Sequence, residues 1–557
     1  MTDRVARNSA PRSREPALAA PLTTKSPLWW QSGVVYQIYP RSFQDSDGDG
    51  VGDLRGIVSR LDYLVWLGVD ALWLSPIFRS PMADFGYDVA DYRDVDPIFG
   101  TIADLDDLVT EAHGRGLRVL LDFVPNHTSD QHPWFLESRS SRNNPKRDWY
   151  MWADPAPGGG PPNNWLSMFG GPGWEFDAAT GQYYYHAFLK EQPDLNWRNP
   201  AVREAMYDVL RFWLDRGIDG FRVDVMWHMI KDDQLRDNPP DPDWNPSERR
   251  NYDRLLPIHS SDRPEVLDVV AEMRAVVDEY DERVLIGEIY LPIERLVAYY
   301  GSSRARLGAH LPFNFQLLDL PWRADAIGPA IASYEGLLPA HAWPNWVVGN
   351  HDRPRIASRV GPEQARVAAM LLLTLRGTPT MYNGDELGMT DVDIPPELQQ
   401  DPARYDGAER GRDPQRTPMP WTADAAGGFT TGTPWLPLGP DVAERNVESQ
   451  RRNPGSMLNL YRRLLALRRA EPALAVGAWA PLPSPPNVVA YERSVPGRRL
   501  VVALNLGGGD EIVDLDATPR EVLISTHERA VLVGGRVALA PNEGVVLAAN
   551  GDGVNRG

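Results

Sequence analysis

The chain has 557 residues, with 57 Lys and Arg against 76 Asp and Glu, a net charge of −19, and no cysteine. This acidic balance argues against nucleic acid and against an anionic membrane as partners. The absence of cysteine excludes disulfides, which a core of this size does not need. Residues 1–26 are rich in Arg, Ser, Pro and Ala without a continuous apolar stretch, and read as a disordered tail rather than a secretory signal. No apolar run is long enough to span a bilayer, and a cytoplasmic location is expected.

From Val34 to about Arg469 short apolar runs alternate with amphipathic stretches, the pattern of βα units around a parallel sheet. Strands are expected at Val34–Tyr39, Ala71–Ser75, Arg118–Phe123, Gly220–Val225, Val284–Gly287, Phe313–Gln316, Trp346–Gly349 and Thr378–Tyr382, the number that closes a (β/α)8 barrel. Leu54, Ile57, Val58, Leu61, Leu64 and Val65 form one helical stripe over Leu54–Leu67, and Ala365–Leu375 reads likewise. Residues 128–196, rich in Trp, Gly, Pro and Tyr, break the rhythm after the third strand, and a loop of that length usually carries function. A second insertion, Asp232–Asp281, follows the fourth strand. Beyond Glu471, Val488–Arg493, Leu500–Asn505 and Val545–Ala549 predict an antiparallel β-domain, with Gly507–Asp510 as a turn. The organisation is thus a tail (1–26), a barrel (27–127 and 197–469), an insertion (128–196) and a terminal β-domain (470–557).

Along Gly220-Phe-Arg-Val-Asp-Val225, alternation sends Arg222 and Asp224 to the same side. Charges on the inner side of an apolar strand are costly unless paired or used in chemistry. Two further apolar runs end in Glu288 and Asp352, so three carboxylates gather at strand ends, where barrel enzymes build their sites. In Asp45-Ser-Asp-Gly-Asp-Gly-Val-Gly-Asp53, oxygens at alternate positions and Gly at the sixth suit a loop around a hard cation. Its ligands would be Asp45, Asp47, Asp49, Asp53 and the Val51 carbonyl. The twelfth position is Gly56 rather than Glu, so the loop is not an EF-hand.

The segments DFVPNH (122–127), GFRVDV (220–225), IGEIY (286–290) and VVGNHD (347–352) together resemble glycoside hydrolase family 13, the α-amylase family. QPDLN (192–196) is similar to the signature of its α-glucosidase and oligo-1,6-glucosidase branch. The resemblance runs from about Trp30 to the C-terminus. It implies a (β/α)8 TIM barrel with a domain-B insertion after strand 3 and a C-terminal antiparallel β-domain. It implies Asp224 as nucleophile, Glu288 as general acid/base and Asp352 as the carboxylate that binds ring hydroxyls. The two reacting carboxylates of a retaining enzyme are about 5–5.5 Å apart. Arg222 is expected to keep Asp224 ionised, and neighbouring carboxylates to keep Glu288 protonated.

The same resemblance makes His127 and His351 neutral donors in the first sugar subsite. It makes Asp84 and Arg416 a clamp on the terminal 4-hydroxyl, with Tyr87 stacking on the ring and Arg412 at the rim. Phe169, Phe188 and Gln192 match pocket residues of the branch, although the two Phe would equally suit core packing. Val225 faces the aglycone side and leaves the linkage open. The acidic loop would hold a structural Ca2+ (or Mg2+). The implied activity is exo-acting, retaining release of α-glucose from the non-reducing end of short α-glucosides, with transglucosylation as an accompaniment. A trehalose synthase or sucrose isomerase on the same scaffold is the alternative, and a non-catalytic accessory protein is disfavoured by the retained carboxylates. The expected partner is a small sugar, acted on by a monomer or homodimer.

Overall fold

The computed structural model describes residues 27–247, 249–303, 306–402, 411–515 and 519–549; the tail expected at 1–26 lies outside them. Eight parallel strands form one sheet: β1 (Val35–Ile38), β2 (Ala71–Leu74), β3 (Arg118–Phe123), β4 (Gly220–Val223), β5 (Val284–Gly287), β6 (Leu311–Pro312), β7 (Asn345–Val347) and β8 (Thr378–Tyr382). The spatial order is β6-β5-β4-β3-β2-β1-β8-β7. A parallel bridge from Asn314 to Trp346 joins the last two edges and closes the barrel.

Alternation sorts the strand residues as a closed sheet requires. Val35, Ala71, Trp73, Leu120, Val284 and Ile286 fill the barrel interior, whereas Tyr36, Leu72, Leu74, Leu121, Phe221 and Val223 pack outward under the helices. On β4 the interior phase therefore belongs to Gly220, Arg222 and Asp224. Gly220 has φ +151°, and a Cβ there would lie 2.1 Å from the Val284 carbonyl oxygen, so only glycine lets β4 and β5 meet.

Three expectations are corrected. The sixth strand is Leu311–Pro312 rather than Phe313–Gln316, because Gln316 already opens a short helix, Gln316–Asp319. Leu54–Leu67 is two helices, Leu54–Ser59 and Leu61–Leu67, broken at Arg60. Arg60 reaches back to Gln44 Oε1 at 2.7 Å and lies over Trp421, and the changed direction leaves Val65 exposed. Asp232–Asp281 is not one insertion, since Val266–Val277 is a regular helix packed against Pro200–Asp215.

Within 128–196, Trp152–Ala153, Gln182–Tyr185 and Trp174–Asp177 make a small antiparallel sheet. The stretch after Asp232 leans on it: Trp165 Nε1 donates to the Arg236 carbonyl at 2.8 Å, and Asn164 and Asn238 bond reciprocally. The terminal domain pairs a five-stranded antiparallel sheet with a three-stranded one. Gly507–Asp510 is a turn held by the Asn505 side chain. Among the described residues no helix is long and apolar enough to cross a membrane.

Candidate active site

The β3–β4 register sets Asp122 opposite Arg222. Arg222 Nη1 donates to Asp122 at 2.7 Å and to Asp224 at 2.8 Å, and Nη2 reaches Glu288 at 2.9 Å. One buried guanidinium thus serves three buried carboxylates, with Asp224 on Nη1 and Glu288 on the neighbouring Nη2. Two carboxyls held on neighbouring nitrogens of one guanidinium suit the roughly 5–5.5 Å spacing of a retaining enzyme better than the about 6.5–9.5 Å gap of an inverting one.

Val225 leaves β4 with φ 35° and ψ 46°, a left-handed conformation that a β-branched residue rarely takes. Such strain costs on the order of 1–3 kcal/mol. In return the Val225 amide donates to Glu288 Oε2 at 2.8 Å and fixes that carboxyl across from Asp224.

The charge count corrects one expectation. Burial pushes Asp224 well above the ordinary carboxylate range, and Arg222 does not offset it because Glu288, Asp122 and Asp352 push the same way. Burial also raises Glu288, with Asp352 adding to it against Arg222. Asp352 goes the other way: burial raises it, but the charges of Arg412, Arg416 and Arg222 hold it ionised, His351 adding to them only at low pH where its ring is charged.

The far wall of the site is a second arginine cluster. Arg412 donates to Asp84 at 2.6 Å, to Asp352 at 3.2 Å and to Asp401 at 2.9 Å. The expected Asp84–Arg416 pair is not formed. A 3-10 turn over Asp413–Gln415 separates the two arginines. Arg412, before the turn, points into the pocket. Arg416, after it, is fully buried and bonds Asp352 at 2.9 Å and the His351 carbonyl at 2.8 Å.

Asp84, Tyr87, His127, Phe169, Phe188, Gln192, Asp224, Glu288, Asp352 and Arg412 line one cavity of about 370 Å³, within the range of small-molecule sites. Both Phe face this space, and Arg412 lies over the Phe169 ring at 5.1 Å. Val225 lines it beside Trp227, Tyr290, Arg250 and Arg353, which sequence reasoning did not single out. Arg222, His351 and Arg416 stand behind the wall. The His351 ring is parallel to that of Tyr87, with Nε2 2.7 Å from its hydroxyl, and burial drives its pKa down to about 3. Burial takes His127 to about 4, so both rings are neutral at physiological pH. Gln192 Nε2 lies 3.1 Å from His127 Nε2 and donates to Asp84 at 3.3 Å.

Sequence reasoning also missed Asp122, Asp401 and the Lys231–Asp194 pair. Asp122 was findable, since it shares the inward phase of β3 with Leu120. Lys231, fully buried, bonds Asp194 and Asn126 Oδ1, the latter at 2.6 Å, and so ties the end of domain B to the loop after β4.

In the acidic loop, carboxylate oxygens of Asp45, Asp47 and Asp49 lie within 4.8 Å of one another. Asp53 is outside this group. Its oxygens cap the helix at Gly56 N, 2.7 Å, and hold Ser46. Asp49 is exposed; partial desolvation raises it and Asp47, Asp45 and Asp53 add repulsion, against the Val51 amide that it accepts.

The family described as alpha amylase, catalytic domain, matches residues 37–477. An α-glucosidase of Culex pipiens is 44% identical over 498 residues, covering 87% of this chain and 83% of that one. An oligo-1,6-glucosidase of Parageobacillus thermoglucosidasius is 39% identical over 542 residues, covering 90% and 94%. The crystal structure of the α-glucosyl transfer enzyme XgtA superposes with a TM-score of 0.89 at 41% identity, covering 94% of this chain and all of that one. A barrel with this carboxylate arrangement, matched over nearly its whole length by such relatives, belongs to the α-amylase family, in its α-glucosidase and oligo-1,6-glucosidase branch.

Proposed function

We propose that this enzyme releases α-glucose from the non-reducing end of short α-glucosides with retention of configuration. The observation that carries the reading is the meeting of Asp224 and Glu288 on one guanidinium, in a cavity whose far wall is the Asp84–Arg412 pair. That wall blocks extension beyond the terminal glucose, which favours exo attack over internal cleavage.

Asp224 attacks the anomeric carbon as the glycosidic C–O bond breaks and Glu288 gives its proton to the departing oxygen. Gathered on one guanidinium, the pair holds one proton between them, and the leaving oxygen draws it through Glu288. Esterification removes the Asp224 charge, so Arg222 then acts more strongly on Glu288 and favours its ionised form. Glu288 next takes a proton from water, whose oxygen displaces Asp224 from the anomeric carbon. Asp352, kept ionised by its arginines, accepts hydrogen bonds from ring hydroxyls. Neutral His127 is a donor to the same ring, with His351 supporting Tyr87 from behind. Transfer to a sugar or alcohol in place of water is the second reading, favoured by the likeness to the α-glucosyl transfer enzyme.

Asp45, Asp47 and Asp49, with the Val51 carbonyl, would hold a structural Ca2+ or Mg2+. The convergence of three carboxylates and the repulsion at Asp49 support this.

The test is a product analysis on maltose, isomaltose, sucrose, trehalose and soluble starch, with the first-formed anomer read by NMR. Glucose appearing as the α-anomer from disaccharides, with starch left intact, is expected. β-Glucose as first product, or sucrose or trehalose isomers as the main products, would overturn the reading.

A further inference from the structure

Asp401 lies beyond β8, in a stretch that belongs to none of the sequence motifs. Its carboxylate takes the Nε–Nη2 edge of Arg412, with Nε at 3.0 Å and Nη2 at 2.9 Å, and it also accepts the Arg412 amide. Asp413 answers in the reverse direction, accepting from the amides of Gln400 at 2.6 Å and Asp401 at 3.0 Å. Gly411 permits this approach, since a Cβ there would lie 3.0 Å from Asp401 Cβ. Five hydrogen bonds lock the two segments, and Asp401 is fully buried. Burial opposes its charge, but Arg412 and Arg416 outweigh burial and hold the carboxyl well below the ordinary range.

A guanidinium offers its donors in a rigid planar fork. Once Asp401 has taken the side edge, the remaining donors can only face the cavity, Nη2 toward Asp84 and Nη1 toward Asp352. Those two acids alone would attract Arg412 without fixing the roll of its plane, because each meets a single nitrogen. A side-on carboxylate adds the missing angular constraint.

We propose that Asp401 is a positioning residue for glycone recognition: it sets the roll of Arg412 so that the guanidinium meets the terminal 4-hydroxyl of an α-glucoside. The proposal rests on the reading of the Asp84–Arg412 wall given above. Asp401 then governs discrimination at C4 and leaves the chemistry at C1 to Asp224 and Glu288.

The test compares 4-nitrophenyl α-glucoside with its 4-deoxy analogue on the full-length enzyme. A site built around a hydroxyl rejects the analogue that lacks it, so the wild type shows a large ratio of kcat/KM. Asp401→Asn is expected to lower kcat/KM for the glucoside about tenfold or more and spare the deoxy compound, collapsing the ratio. Asp401→Glu, which keeps the charge, restores part of it. Equal losses on both substrates, the mark of a merely structural role, would overturn the proposal. An unchanged ratio in Asp401→Asn, with a collapsed ratio in Arg412→Lys, overturns the role of Asp401 and leaves that of Arg412 standing. An unchanged ratio in both overturns the reading of Arg412 itself. Where Asp401→Asn does not fold, Asp401→Ala is read in the same way.

Discussion

Asp122 stands directly across from Arg222 in the β3–β4 register, 2.7 Å away, and competes with both reacting carboxylates for the same guanidinium. Burial lifts Asp122 above the ordinary carboxylate range against the pull of Arg222. Its negative charge in turn raises Asp224. Asp122→Asn removes that charge and returns Arg222 to the reacting pair, so the pKa of Asp224 falls. A nucleophile with a lower pKa stays ionised to lower pH, and the acid limb of kcat/KM should move toward lower pH than in the wild type. A pH profile measures this; an acid limb that stays in place or rises contradicts the charge count.

Asp224→Asn removes the nucleophile while keeping shape and hydrogen bonding. The expected outcome is a fall in kcat by roughly 10⁴ or more with sugar binding retained. Steady-state kinetics and glucose titration together check it, and a variant with substantial turnover would move the covalent step to another residue.

Lys231 and Asp194 form a buried pair between the barrel and domain B. Burial depresses the Lys231 pKa, and Asp194 restores part of it. Asp194→Asn leaves an uncompensated cation in the interior, a loss of about 3–5 kcal/mol. Lys231→Met combined with Asp194→Leu should recover much of that loss, since no charge remains buried. Urea denaturation of the single and double variants decides; a double variant no better than the single would place the stability in the hydrogen bonds to Asn126 instead.

Removal of divalent cations should lower Tm, because Asp45, Asp47 and Asp49 then repel at close range. Asp47→Asn reduces the repulsion and should blunt the response to chelator. Differential scanning calorimetry with and without EDTA, then with added Ca2+ or Mg2+, measures the effect. A Tm insensitive to all three additions would leave the loop as an acidic turn.

The barrel was legible because its signals are local. Strand alternation is a property of backbone geometry, so an apolar run with Arg222 and Asp224 in one phase already placed both inside. The sixth strand slipped by two residues or more and the seventh by one or two, and the slip in the sixth kept Phe313 and Phe315 in the interior phase. The stripe from Leu54 was misread as one helix because periodicity does not reveal a break that tertiary contacts of Arg60 impose.

Sequence alone settled which residue types gather at the strand ends, since each strand carries its own pattern. Tertiary structure alone decided who pairs with whom. Arg412 and not Arg416 faces Asp84, Asp401 holds that arginine side-on, and Asp122 claims a share of Arg222. These partners lie eleven to more than three hundred positions apart. Their distances depend on how loops close over the barrel mouth, and the shared charge of a buried cluster exists only once those distances are set.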